Sequence, residues 1–131
     1  MIKHIENENQ FNQEISKGLT IVDFFATWCG PCRMLAPILE DVSETRDDAK
    51  FLKVDVDENY DLAKSFGIMS VPTVLFFKDG ILVDKSIGLI NSEKINQIID
   101  KNKWFPSWLD CVLVISYCEI KKKEQIWEKY I

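Results

Sequence analysis

Apolar residues along this chain change period several times, and each change marks an element. Between Gln10 and Lys17, Phe11 and Ile15 stand four apart among polar neighbours, which predicts a short amphipathic helix closed by Gly18. Leu19 to Ala26 (LTIVDFFA) is almost continuously apolar and rich in β-branched and aromatic side chains, the pattern of a strand buried on both faces. From Pro31 to Thr45 the period lengthens, with Met34, Leu35, Ile38, Leu39 and Val42 forming a helical stripe. Pro31 suits a first turn, where no donor is lost, whereas Pro37 falls inside the stripe and is expected to kink it. Phe51 to Asp57 alternates as a second strand, and Glu58 to Phe66 follows as a short helix stopped by Gly67. After Val71-Pro72, Thr73 to Phe77 is a third strand; Lys78-Asp79-Gly80 supplies hairpin chemistry, and Ile81 to Gly88 is the return strand. Ser92 is placed to cap a last helix bearing Ile95, Ile98 and Ile99 on one face, and Ile2 to Ile5 is a candidate opening strand.

Early alternation of strand and helix implies parallel pairing through crossover helices, and the hairpin adds antiparallel strands. The expected class is therefore a mixed α/β sheet with helices on both faces. A length of 131 residues admits one domain with a core of its own. The net charge of −5, with both signs interleaved, lacks the clustered basic face of a nucleic-acid binder, so no nucleic-acid partner is expected. Four cysteines are too few for a disulfide-dense secreted scaffold, and MIKHIENENQFNQE has no long apolar segment of a secretory signal. A cytoplasmic, reducing location is expected.

In such a compartment a close cysteine pair is more often catalytic or metal-binding than structural. Cys29 and Cys32 lie three apart in FFATWCGPCR, directly after the first strong strand. Three readings are open at this point: a redox couple, half of a zinc site, or two small core residues. Zinc needs four N or S ligands, and His4, Cys111 and Cys118 form no second CxxC and no matching His pair, so no metal site is expected. Asp23, in the middle of the apolar run, is a second anomaly. A carboxylate there is costly unless paired, and burial should raise its pKa.

WCGPC preceded by an acid within the strand (VDFFATWCGPC), together with GIMSVPTVLFFKDG and a glycine at 88, resembles the thioredoxin family over about residues 1–102. The resemblance implies a thioredoxin fold, with about five strands in a mixed central sheet and four flanking helices. It implies a protein dithiol–disulfide oxidoreductase acting through a reversible Cys29–Cys32 disulfide, with no bound cofactor. Its partners would be disulfide-containing proteins and a thioredoxin reductase that recharges it. A monomer is expected. The family commonly has a tryptophan where this chain has Phe25.

In that frame Cys29 stands at a strand-to-helix junction, where unpaired backbone N–H groups and the helix dipole favour a thiolate. Cys29 is the expected nucleophile and Cys32, one turn on, the resolving thiol. Asp23 is expected to accept the proton of Cys32, with Lys53 approaching it across the sheet as the partner the resemblance implies. Gly30 is expected to permit a close backbone turn and Pro31 to stiffen the loop. The resemblance makes Pro72 cis and facing the cysteines, so that Val71 offers its N–H and C=O to an extended substrate. Trp28, Met69, Val71, Gly88 and Ile90 are expected to form an apolar patch around Cys29, with Trp28, Gly30, Pro31, Val71, Pro72 and Gly88 contacting substrate.

Residues 103–131 form a C-terminal extension with no counterpart in the resemblance. Trp104 to Tyr117 is mostly apolar, then Lys121-Lys122-Lys123 and a charged end follow. The apolar run is shorter than the ~18–20 residues that span a bilayer and contains Asp110, so a membrane span is not expected. Packing on the domain or self-association is the preferred reading; an anchor on the membrane surface, from the apolar stretch beside the lysine cluster, and a foreign tail are the alternatives. Cys111 and Cys118 read as buried or incidental thiols. Two rival functions share the rest of the pattern. One is a disulfide oxidase or isomerase, which calls for an export signal; the other is an adaptor or chaperone-like subunit that uses the apolar patch to hold a partner.

Overall fold

The structure, a computed structural model, describes residues 1–103; the expectations for Cys111, Cys118 and the rest of the extension lie outside the described residues. In chain order the elements are β1 (Ile2–His4), α1 (Glu8–Ile15), β2 (Leu19–Phe25), α2 (Gly30–Thr45), β3 (Ala49–Asp55), α3 (Tyr60–Ser65), β4 (Thr73–Lys78), β5 (Ile81–Ile87) and α4 (Ser92–Asn102). The five strands form one sheet in the order β1-β3-β2-β4-β5. β3 pairs parallel with both β1 and β2, while β4 pairs antiparallel with β2 and β5. This is the mixed sheet that the alternation and the hairpin predict.

Period-two alternation divides the apolar run of β2 between two cores. Leu19 and Ile21 join Val74 and Phe76 beneath α2 and α4, against Leu35, Leu39, Val42, Ile95 and Ile99. Val22 and Phe24 point the other way, with Leu52, Val54, Leu75 and Phe77, under α1 and α3. On that second face Phe11 and Phe66 stack edge-on with centroids 5.4 Å apart, and Phe77 meets both at 5.5–5.7 Å. A strand sandwiched in this way sits at the centre of the sheet with one end free for chemistry.

Boundaries differ from expectation where local chemistry is ambiguous. β3 starts at Ala49, two residues before the alternation becomes visible. Asn91, not Ser92, caps α4: its side chain accepts a hydrogen bond from the Lys94 amide at 2.8 Å. α2 runs on through Pro37 to Thr45, and Pro37 lies on its exposed side. Met34 is exposed rather than part of the stripe, because it stands about 100° round the helix from Leu35, which with Leu39 and Val42 sets the buried face. The Asp79-Gly80 turn has positive φ at both residues (50° and 85°), as a tight two-residue hairpin requires. Asp79 also accepts from the Gly18 amide at 2.8 Å, tying the hairpin to the loop before β2.

Candidate active site

The free end of β2 delivers Asp23 and Phe25, then the chain turns through Thr27 and Trp28 into α2. Cys29 is the N-cap of that 16-residue helix, with extended φ −89° and ψ 118°. Its Sγ accepts a hydrogen bond from the Cys32 amide at 3.2 Å, so the sulfur takes the place an Asp or Ser oxygen fills in an ordinary cap. No acidic residue stands in the first turn to oppose a thiolate there. Arg33, in the same turn, donates from its guanidinium to the Thr27 carbonyl at 3.0 Å and braces the loop.

Cys29 and Cys32 form a disulfide, with Cα atoms 5.3 Å apart. Both residues are buried in this oxidised state, at 5% and 3% exposure. The cover consists of Ala26, Phe25, Val56 and Val71 packed about the pair. The Val71 carbonyl oxygen lies 3.7 Å from Cys29 Sγ.

The Val71–Pro72 peptide bond is cis. The Pro72 carbonyl accepts from the Gly88 amide at 2.8 Å, and Gly88 has φ +89°, so the loop after β5 grips the loop before β4 through a glycine conformation. Trp28 is 69% exposed, and its indole N–H donates to Asp57 at 3.0 Å. Gly30 has no positive φ, and a Cβ built there meets nothing within 4 Å, so no tight turn demands glycine at that position. What Gly30 leaves is bare surface beside the disulfide. Met69 is exposed, but Ile90 is not part of the patch: it is buried under α2 and α4, and the exposed apolar residue after Gly88 is Leu89.

Asp23 is 2% exposed, and its Oδ1 has no hydrogen-bond partner. Burial pushes its pKa up to about 7, against a smaller opposing pull from the Lys53 charge. Lys53 stands directly opposite Asp23 in the β2–β3 register. Its ammonium, however, lies over the Phe25 ring, 4.5 Å from the centroid, and among the described residues no ion pair joins it to Asp23. The expected partnership is thus a neighbouring charge rather than a closed salt bridge.

Two contributors escape the sequence reading. Asp57 holds the Trp28 indole, and the buried Asp55 shapes the turn that presents Asp57 by accepting from the amides of Asp57 (2.9 Å) and Glu58 (3.4 Å). An aspartate two residues after another at a strand end is a turn signal, and that was the available clue. Among the described residues no cluster of three or more His, Cys, Asp or Glu is arranged to hold a metal.

A disulfide at a helix N-cap next to the Val71 carbonyl, on a mixed sheet of five strands whose central strand buries a neutral-range acid, defines a protein dithiol–disulfide oxidoreductase. The relatives agree. The family model described as thioredoxin matches residues 2–101. The thioredoxin of Listeria monocytogenes is 50% identical over 102 residues, covering 77% of this chain and 98% of the relative. That of Bacillus subtilis is 43% identical over 96 residues, 72% of this chain and 92% of the relative. Among solved structures, a mutant thioredoxin from Halobacterium salinarum superposes with a TM-score of 0.75 at 33% identity, covering 80% of this chain and 93% of the other. Plasmodium falciparum thioredoxin gives a TM-score of 0.71 at 40% identity, covering 76% and 98%. The chain belongs to the thioredoxin family. Its working group is the redox-active disulfide, and the family in general acts on disulfide-containing proteins and is recharged by thioredoxin reductase.

Proposed function

We propose that Cys29 is the nucleophile, Cys32 the resolving thiol and Asp23 the acceptor of its proton, in the reduction of disulfides in cytoplasmic proteins. In the dithiol state the Cys29 thiolate attacks one sulfur of a substrate disulfide. A Cys29–substrate disulfide forms, the substrate bond breaks, and the first substrate sulfur leaves as a thiolate that takes a proton from water. Cys32 then gives its proton to Asp23 and attacks Cys29 Sγ. The Cys29–Cys32 bond closes and the second substrate sulfur leaves. Two electrons have passed to the substrate, and a thioredoxin reductase returns two to the protein. The cap hydrogen bond from the Cys32 amide to Cys29 Sγ carries this reading, since a donor fixed on that sulfur stabilises negative charge on it.

Substrate would lie extended past Val71, pairing with its carbonyl, and cross Trp28, Gly30, Pro31, Pro72 and Gly88. Lys53 acts as the electrostatic partner of Asp23. The working unit is a monomer, since one chain supplies each of these groups. Residues 1–102 are the thioredoxin domain, and the extension 103–131 supplies none of them. No described helix is long and apolar enough to cross a membrane.

Cys32→Ser tests the chemistry against an adaptor role. With a disulfide-bonded protein such as insulin, it should accumulate a mixed disulfide visible on non-reducing gels and fail to turn over. An adaptor would bind its partner equally well with or without Cys32, and full turnover by the variant would end the reading.

A further inference from the structure

Lys53 has two places for its ammonium: the Asp23 carboxylate directly across the strand pair, and the face of Phe25, two residues along β2 on the same side of the sheet. It takes the second, 4.5 Å above the ring, while Asp23 Oδ1 stays buried and unpartnered. The ring is itself wedged. His4, opposite Lys53 in the β1–β3 register, packs edge-on against Phe25 with centroids 5.8 Å apart. We propose that Phe25 is a positioning residue: its π-face holds the Lys53 ammonium and keeps it from closing onto Asp23.

The physical case is a competition. While Asp23 carries its proton it offers no charge, and the negative face of the aromatic ring is the better site for a half-buried ammonium. When Asp23 ionises, an ammonium free to swing would join it in a closed pair, and an opposite charge in contact favours the carboxylate form. Holding the cation on Phe25 denies the carboxylate that stabilisation and leaves Lys53 only the smaller pull of a nearby charge against burial, so the carboxylate stays a base of neutral range. The other neighbours leave the choice to these two. β4 presents Val74 beside Asp23, and in the first turn of α2 the cysteines are tied in the disulfide while the Arg33 guanidinium is engaged by the Thr27 carbonyl. The Asp55 carboxylate, opposite Phe25, is engaged by two backbone amides of its own turn. His4, with Glu58 at 3.9 Å, lies one strand further out.

This inference deepens the reading of Asp23 as proton acceptor and rests on it only for its kinetic consequence. The direct experiment follows the Asp23 carboxyl carbon by NMR across pH in the oxidised full-length protein, where neither Cys29 nor Cys32 titrates. Phe25→Leu frees the ammonium, and the Asp23 midpoint should fall by at least about one pH unit. Opening the site to water would also lower it, so the same change is made in a Lys53→Met background. There Phe25→Leu should leave the midpoint where Lys53→Met alone puts it. A midpoint unmoved by Phe25→Leu, or an equal fall in both backgrounds, overturns the proposal. Phe25→Met, whose longer and more adaptable side chain also lacks a π-face, takes its place should the leucine variant fail to fold. The pH profile of the resolving step in the reduced protein should move with the Asp23 midpoint. If the midpoint falls and that profile stays put, the proton-acceptor reading fails while the hold of Phe25 on Lys53 stands.

Discussion

Replacing Asp23 with asparagine should make the protein more stable and less able, and the size of the first effect follows from burial. The carboxyl ionises at about 7 when folded against 3.8 for the unperturbed group, a difference of about three pKa units. At 1.36 kcal/mol per unit, the folded state loses about 4 kcal/mol by carrying this acid as an anion. The sign is that of a raised acid. Between roughly pH 4 and 7 the folded state binds the proton and the unfolded state does not, so stability falls as pH rises through that window and levels off above it. The asparagine side chain of the variant removes the titration and adds a buried N–H, which costs about 1 kcal/mol at every pH. Guanidinium unfolding of the oxidised protein should therefore show the variant level with or slightly below the wild type at pH 4. By pH 8 it should be about 3 kcal/mol more stable, with the crossover between. A stability difference that stays constant from pH 4 to 8 would refute the reasoning, because it would mean that the carboxyl keeps its ordinary pKa when buried. In the same variant, reduction of a protein disulfide near neutral pH should slow at the resolving step.

Asp57→Ala removes the acceptor that holds the Trp28 indole, at an expected loss of about 1 kcal/mol. The loss should appear as a roughly fivefold rise in KM for insulin with kcat preserved, and an unchanged KM would show that the hydrogen bond does not orient the ring for substrate. Truncation after Lys103 should leave insulin reduction undiminished, since each group of the site lies before that residue. A collapse of activity in a truncated protein that still unfolds cooperatively would place part of the site in the extension.

Much of the fold was legible because its signals are local. The unbroken apolar run of β2, the stripe of Leu35, Leu39 and Val42, and the Asp79-Gly80 turn each identify an element from a few adjacent residues. Asp23 stood out for the same reason: an ionisable group in a run that must be buried has few physical explanations. Adjacent equivalents defeated the reading elsewhere. Asn91 and Ser92 are both good caps, and Leu89 and Ile90 are both apolar, so only the packed helix shows which member of each pair faces which way. Met34 looked like core because one residue of offset on a helix is hard to see in a dense apolar stretch. The rest depends on pairing across the fold. Trp28 and Asp57 are 29 residues apart, and the choice of Lys53 between Asp23 and Phe25 exists only once β2 and β3 are in register.

The central claim is that the α2 N-terminus holds the Cys29 sulfur as a stabilised anion. The pH dependence of Cys29 alkylation by iodoacetamide in the reduced protein tests it most directly. The predicted midpoint lies well below the ~8.5 of a free cysteine. A midpoint at or above that value would contradict the account.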